Sequence, residues 1–107
     1  MPWLVRDGVV LASAEVATTR RARRRGLLGR DAVDGVLVLP VRSVHTIGMR
    51  VDIDVAYLDG DGLVVKVHTL RPNRVGRPVL AARSVVEGAA GQFRAWGVAP
   101  GDRLEIR

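Results

Sequence analysis

The sequence predicts a mainly β (β-rich α+β) domain: a compact antiparallel barrel or sandwich of short strands with one or two short helices. Short apolar runs recur along the chain and are separated by glycine- and proline-containing turns, which is typical of small β-rich folds. No strand–long helix–strand alternation is present, and this argues against a doubly wound nucleotide-binding fold. The chain has 107 residues, the size of one domain. We therefore expect a single domain over residues 1–107.

The first half of the chain carries two strand signals and one helix signal. Residues 3–12 are expected to form two short strands around the Asp-Gly turn at residues 7–8, because glycine accepts the positive φ of a hairpin turn. A short helix is expected over about residues 20–25 and would end at Gly26, a common residue after a helix C-terminus. Residues 36–39 are apolar and too few for a helix, so they predict a buried strand.

The second half contains the clearest hairpin of the sequence. Apolar residues alternate over residues 51–58, and a returning strand over residues 63–70 follows an Asp-Gly-Asp-Gly turn. The alternation predicts that one face is shared by Val51, Ile53, Val55 and Tyr57. Further elements are predicted as a strand over residues 79–86, one or two helical turns within residues 89–96, and a final strand over residues 103–106.

The charge distribution indicates one basic block. The net charge is +6, from 17 basic and 11 acidic residues, and five arginines lie within six positions: Arg20, Arg21, Arg23, Arg24 and Arg25. Without these five the balance is 12 against 11. Guanidinium groups match phosphate oxygens, so Arg20, Arg21, Arg24 and Arg25 are candidate anion-binding residues. Nucleic acid is not a favoured partner, because the block has no aromatic residue for base stacking. A solvated helix face explains most charge runs.

Several classes of function are disfavoured by composition. The absence of cysteine excludes disulfides, thiolate metal sites and a cysteine nucleophile. Only His45 and His68 could supply imidazole ligands, and two histidines alone are a weak metal signal, so we expect no metal and no cofactor. No apolar run reaches 18 residues and the start lacks a signal-peptide pattern. We therefore expect a cytoplasmic protein without a membrane span.

Polar residues in apolar surroundings are densest over residues 43–54. His45, Thr46 and Asp54 supply an imidazole, a hydroxyl and a carboxylate within ten residues. They would converge at one end of a barrel if two adjacent strands carried them, and an Asp–His pair would raise the basicity of the imidazole. The alternative is a hydrogen-bonded network that fixes a tight turn, since buried polar groups need partners in either case.

Two further residues need an interpretation. His68 lies on the returning strand and is interpreted as an ordinary strand residue. Glu87 is expected at a strand end, where it can cap backbone N–H groups or pair with an arginine such as Arg23. A structural role for Glu87 is favoured over a catalytic one, because no second carboxylate lies nearby in the sequence.

Five ordered motifs resemble those of a prokaryotic family known as domain of unknown function 192. They lie at residues 19–37, 45–50, 53–59, 85–91 and 97–104, and include Arg-Gly-Leu-Leu-Gly-Arg and Ile-Asp-Val-Ala-Tyr-Leu-Asp. The resemblance covers roughly residues 8–107. It implies a compact β-rich barrel or sandwich with a short helix, and it implies no established reaction. The chain departs from the family pattern at Asp52, where the family has a proline.

Together these observations predict a small accessory or binding domain with a polar cleft for an unidentified small molecule. The residues expected to line or brace the cleft are Arg23, His45, Thr46, Met49, Asp54 and Glu87. One alternative is a hydrolase in which His45 is the general base and Asp54 orients it, which requires the side chains to approach to about 3 Å. Another is nucleic-acid or anionic-surface binding through residues 20–25. An enzyme is less expected than a binding domain, and no protein partner is indicated.

Overall fold

The computed structural model of the protein describes residues 2–17 and 35–107. These residues form seven strands and one short helix, in the order β1 (Trp3–Arg6), β2 (Val9–Val16), β3 (Val36–Leu39), β4 (Ile53–Leu58), β5 (Val64–Leu70), β6 (Ser84–Ala89), α1 (Gln92–Trp96) and β7 (Glu105–Ile106). The strands form a seven-stranded sheet in the order β5-β4-β6-β3-β2-β1-β7. The prediction of a mainly β fold is confirmed. The helix predicted over residues 20–25 lies outside the described residues.

Two details of the predicted topology need correction. The sheet is not wholly antiparallel, because β2 and β3 pair in parallel, with Ala14 opposite Val36. The chain between them is long enough for the crossover that a parallel pair requires. Within the described residues the sheet is also not closed into a barrel. The segment before β7 nevertheless bonds to the start of β5: the Val64 N–H donates to the Asp102 carbonyl over 2.8 Å, and the Leu104 N–H donates to the Gly62 carbonyl over 2.9 Å.

Both predicted hairpins are confirmed. The turn between β1 and β2 has φ 51° at Asp7 and 78° at Gly8, and two successive positive φ angles are the requirement of the type I′ turn that suits a two-residue hairpin. Strands β4 and β5 pair in an antiparallel register that places Val55 opposite His68. The predicted strands over residues 51–58 and 63–70 begin slightly later than expected and end where expected.

The strand predicted over residues 79–86 is shifted toward the C-terminus. Residues 79–83 turn instead, with the Ala82 N–H donating to the Val79 carbonyl over 3.0 Å. Strand β6 continues to Ala89, so Glu87 lies inside the strand and not at its end. The continuation depends on Gly88, because a Cβ atom there would lie 3.1 Å from the Phe93 ring. A glycine inside a strand commonly marks such a close approach.

The central strands are covered on both faces. On the helix face, which carries Ala56 and Val86, the sheet packs against Phe93 of α1. On the loop face, which carries Val55 and Tyr57, it packs against residues of the loops, including Val44, Met49 and Ala82. All six residues of β4 are buried for this reason. Within residues 2–17 and 35–107, no helix has the length and hydrophobicity needed to cross a bilayer.

Candidate functional site

Two loops cover the loop face and together form what we call the loop layer, residues 41–52 and 71–83. They run antiparallel to each other and are joined through their backbones. The Gly76 N–H donates to the Val44 carbonyl over 2.8 Å, and the Val79 N–H donates to the Arg42 carbonyl over 2.9 Å. His45 and Val75 form an isolated antiparallel bridge between them. The layer therefore behaves as a short ribbon with an inner and an outer surface.

Thr46 holds the two loops together. Its side chain is fully buried, and its Oγ1 donates to the Arg71 carbonyl over 2.5 Å and accepts from the Arg74 N–H over 2.8 Å. Its backbone N–H donates to the Arg74 carbonyl over 2.7 Å, and its carbonyl accepts from the Asn73 N–H over 2.8 Å. The hydroxyl satisfies backbone groups that the irregular chain would otherwise leave without partners. Thr46 thus braces the loop layer.

Met49 and His45 lie on opposite surfaces of this layer. Met49 is buried in the apolar cluster of the loop face, and its N–H donates to the Thr46 carbonyl over 3.0 Å. His45 is exposed, because a side chain next to the inward-facing Val44 and Thr46 points outward in an extended segment. Three predicted site residues lie in the first loop. Thr46 and Met49 are buried, and His45 is the one of the three that is exposed on the outer surface.

Asp54 anchors the short helix. The residue is 3% exposed, its Oδ1 accepts from the Thr69 hydroxyl over 2.7 Å, and its Oδ2 accepts from the Phe93 N–H over 3.1 Å. The N-cap residue of α1 is Gly91, which makes no side-chain cap hydrogen bond. A carboxylate from β4 therefore supplies the acceptor that a helix N-terminus normally receives from its own N-cap side chain.

The structure does not bring the predicted site residues together. Asp54 is opposite Thr69 and Gly88 on the neighbouring strands, and this row belongs to the helix face. Glu87 is opposite Val55, one position along β4, and so faces the loop layer. Successive residues of a strand alternate between faces, which separates Asp54 from Glu87. Asp54 is also separated from His45, because Asp54 bonds to α1 on the helix face while His45 lies on the loop layer that covers the other face. The predicted Asp–His pair and the convergence of His45, Thr46 and Asp54 are therefore not formed.

A different polar cluster lies on the loop face, beneath the loop layer. His68, Val55 and Glu87 are side by side on β5, β4 and β6, and Tyr57 is two residues along β4 on the same face. The Tyr57 hydroxyl lies 3.4 Å from His68 Nε2, with the rings edge to face and their centroids 5.5 Å apart. A Cβ atom at Gly76 would lie 3.4 Å from the same hydroxyl. Tyr57, His68 and Glu87 are called the polar cluster below.

Both aromatic members of the polar cluster are uncharged at neutral pH. Burial raises the pKa of Tyr57 above its ordinary value of 10.0, and the negative charge of Glu87 raises this pKa further. Burial lowers the pKa of His68 below its ordinary value of 6.5, and the positive charge of Lys66 acts in the same direction. A neutral phenol and a neutral imidazole can each donate and accept hydrogen bonds. The cluster can therefore bind hydrogen-bonding groups without charge pairing at His68 or Tyr57.

The turn between β4 and β5 does not by itself predict this cluster. The register at the turn pairs Leu58 with Val64, and continuing it without a break would place His68 opposite Asp54, on the other face of the sheet. A one-residue register shift between Tyr57 and Leu58 moves His68 beside Val55, onto the face of Tyr57. Assigning Glu87 to the same row requires the β4–β6 pairing, which is non-local and has no turn signal of its own.

The remaining candidates lie elsewhere. Arg20, Arg21, Arg23, Arg24 and Arg25 are outside the described residues, so the expected Arg23–Glu87 pair stays a prediction. Asp52, which departs from the family pattern, is exposed. Across residues 2–17 and 35–107, no three histidine, aspartate or glutamate side chains gather as they would around a metal ion.

Solved structures share this fold. A protein of unknown function from Novosphingobium aromaticivorans superimposes with a TM-score of 0.81 at 16% identity, over 97% of this chain and 82% of that one. A Sinorhizobium meliloti 1021 protein, described as a candidate transcription regulator, also gives a TM-score of 0.81, at 24% identity over 98% of this chain and 91% of that one. At these identities the likeness shows the fold alone.

Archaeal sequences are more similar. A UPF0127 protein from Thermococcus gammatolerans is 39% identical over 84% of this chain and 63% of its own length. UPF0127 proteins from Pyrococcus abyssi and Pyrococcus furiosus are 37% and 40% identical over 65% of this chain. The chain spans between 63% and 65% of the length of these relatives. The model of the family described as DUF192, "Uncharacterized ACR", matches residues 4–106, and the chain therefore belongs to the domain of unknown function 192 family.

Proposed function

We propose that this domain binds a small polar ligand on the loop face, at the polar cluster. The observation that carries the proposal is the grouping of Tyr57, His68 and Glu87 on a sheet face whose other buried side chains are apolar. Their neighbours on that face include Val55, Leu37 and Val85. Ligand sites are typically built in this way, from an apolar lining and a few convergent polar groups.

Each member of the polar cluster has a distinct role in the proposal. His68 is half-buried and is the member that a ligand reaches from solvent. Tyr57 is fully buried and lies behind the imidazole, where its hydroxyl orients the ring. Glu87, which is 3% exposed, adds a carboxylate acceptor. This set favours a neutral ligand with hydroxyl donors, because an uncharged ligand forms hydrogen bonds with His68 and Tyr57 without ion pairing. For such a ligand the affinity should depend little on salt.

The other predicted site residues support this site without touching the ligand. Thr46 fixes the loop layer that covers the cluster, and Met49 contributes to the apolar packing beneath that layer. Asp54 holds α1 on the opposite face of the sheet. His45 lies on the outer surface, away from the cluster. In this proposal they are bracing residues, and the domain is a binding module and not a hydrolase.

The two histidines of the chain provide a matched test. Carbon–hydrogen NMR signals of both rings would be followed while neutral sugars, amino acids, dicarboxylates and divalent cations are added. We expect a binding compound to shift the His68 signals, and His68→Gln to weaken its affinity about tenfold, the effect of losing one hydrogen bond. His45→Gln should leave binding unchanged.

Two outcomes would contradict the proposal. A compound whose binding is lost in His45→Gln but kept in His68→Gln would place the site on the outer surface of the loop layer. If no compound shifts either ring, and Glu87→Ala lowers only the stability, the polar cluster is a structural network.

A further inference from the structure

The loop layer concentrates positive charge that is scattered along the sequence. Residues 41–52 and 71–83 contain six arginines and a single acidic residue: Arg42, Arg50, Arg71, Arg74, Arg77, Arg83 and Asp52. The other described residues contain five basic and eight acidic side chains. The net positive charge of the described residues is therefore carried by the loop layer, because the remainder is net negative. Counting along the chain does not find it, because about 20 residues separate the two loops and only their backbone pairing joins them.

The arginines of the loop layer are spread along it, and Arg83 lies at its end, near Gly60 of the β4–β5 turn. All six are exposed. Arg42 Nε donates to the Ala82 carbonyl over 3.0 Å, so its side chain lies along the second loop. Arg74 Nη1 is 3.4 Å from the Pro72 carbonyl, within its own loop. Guanidinium groups held by carbonyl oxygens keep other N–H donors for an external phosphate.

Aliphatic side chains are exposed on the same layer. Ile47 is 54% exposed, Val75 is 73% exposed and Leu80 is 83% exposed. Val75 bridges His45 on the outward side, while Val44 and Thr46 face inward. Basic and aliphatic side chains exposed on the same surface are the composition of protein surfaces that lie on membranes.

We propose that the outer surface of the loop layer docks on anionic phospholipid membranes. Arginines near an anionic bilayer are attracted to its phosphates, and aliphatic side chains beside them can enter the boundary between headgroups and acyl chains. Nucleic acid fits this surface less well, because residues 41–52 and 71–83 contain no Phe, Tyr or Trp on which bases could stack. The surface is distinct from the polar cluster, which lies beneath the layer, so the two proposals are independent.

Vesicle co-sedimentation of the full chain tests this inference. We expect binding to phosphatidylcholine–phosphatidylglycerol vesicles, weak binding to phosphatidylcholine alone, and a decrease with rising salt. Replacing Arg74 and Arg77 by Gln should lower the partition coefficient about 25-fold, or about fivefold for each arginine. Leu80→Ser should weaken binding while leaving its salt dependence intact.

The controls are surface arginines outside the layer. Replacing Arg94 and Arg103 by Gln, at two exposed positions, should reduce vesicle binding much less than replacing Arg74 and Arg77 by Gln. An equal reduction would overturn the proposal, because it would show a response to net charge alone. If vesicle binding were lost only when the arginines of residues 20–25 are replaced, the proposal would be overturned and those arginines would be the membrane-binding residues. Tighter binding to single-stranded oligonucleotides than to vesicles would also overturn it, in favour of nucleic acid. Circular dichroism confirms that each variant is folded.

Discussion

Asp54 gives the sharpest test of how the polar residues are used. Its carboxylate accepts one hydrogen bond from the Thr69 hydroxyl and one from the Phe93 N–H, and it is almost inaccessible to solvent. A hydrogen bond to a charged group contributes about 1.5–3 kcal/mol net, and loss of a helix cap alone costs about 1 kcal/mol. Asp54→Ala should therefore lower the free energy of unfolding by about 3 kcal/mol.

The expected decrease in unfolding free energy is large for a domain of this size, and it can be measured both for the whole domain and locally at α1. Domains of this class have total stabilities of about 5–15 kcal/mol, and 3 kcal/mol corresponds to a decrease in Tm of roughly 15 °C. Urea unfolding followed by circular dichroism gives the global effect. Trp96 stacks on Phe93 with ring centroids 5.7 Å apart, so a change in tryptophan emission before the main transition would report loosening of α1.

Matched variants separate this role from a general effect of removing an acid. Thr69→Val removes one of the two hydrogen bonds and should cost about 1 kcal/mol, with a comparable coupling energy in the double-mutant cycle with Asp54→Ala. Asp61→Ala, at an exposed turn position, should cost no more than about 0.5 kcal/mol. If Asp54→Ala were as mild as Asp61→Ala, the anchoring argument would be refuted.

Three further outcomes are expected. Thr46→Val should cost about 1–3 kcal/mol, because it leaves buried backbone groups without partners, while Thr46→Ser retains most of the stability; amide exchange across the loop layer distinguishes the two. Gly76→Ala should lower Tm, since its Cβ would lie 2.7 Å from the Val44 carbonyl oxygen, whereas Gly60→Ala, with its nearest atom at 3.7 Å, should not. Burial lowers the pKa of His68 below 6.5 in the folded state, so the unfolded chain binds that proton more tightly and stability falls as pH decreases below about 6.5; His68→Gln should flatten this part of the curve of Tm against pH.

Local signals in the sequence were sufficient for the hairpins. The Asp-Gly pair at residues 7–8 and the turn before β5 each specify a backbone conformation through residues that are adjacent in the chain. The buried strand β3 is similarly indicated by its four apolar residues. These elements need no knowledge of distant contacts, and their positions agree with the structure to within one or two residues, except that β2 continues to Val16, beyond the predicted end at residue 12.

The features that could not be predicted from the sequence depend on contacts between residues far apart in the chain. Gly88 near the end of β6 packs closely against Phe93 of α1, and β2 pairs in parallel with β3, a strand that begins 20 positions after the end of β2. The alternation in β4 predicts which residues share a face. It does not predict that both faces are covered, because that requires α1 and the loop layer to fold back over the sheet.

The positions of the buried polar residues explain why the residues of the predicted cleft lie in different parts of the structure. Besides Tyr57, three polar or charged residues are buried among those that the structure describes: Thr46, Asp54 and Glu87. Thr46 and Asp54 bond to backbone groups of a loop and of a short helix, both of which lack the regular pairing of a sheet. Irregular cover over a sheet requires such side chains whether or not the protein binds anything. Polar residues near apolar runs are therefore weak indicators of a site in this fold. The polar cluster is more informative, because His68 and Glu87 lie on either side of Val55 on neighbouring strands and Tyr57 contacts His68.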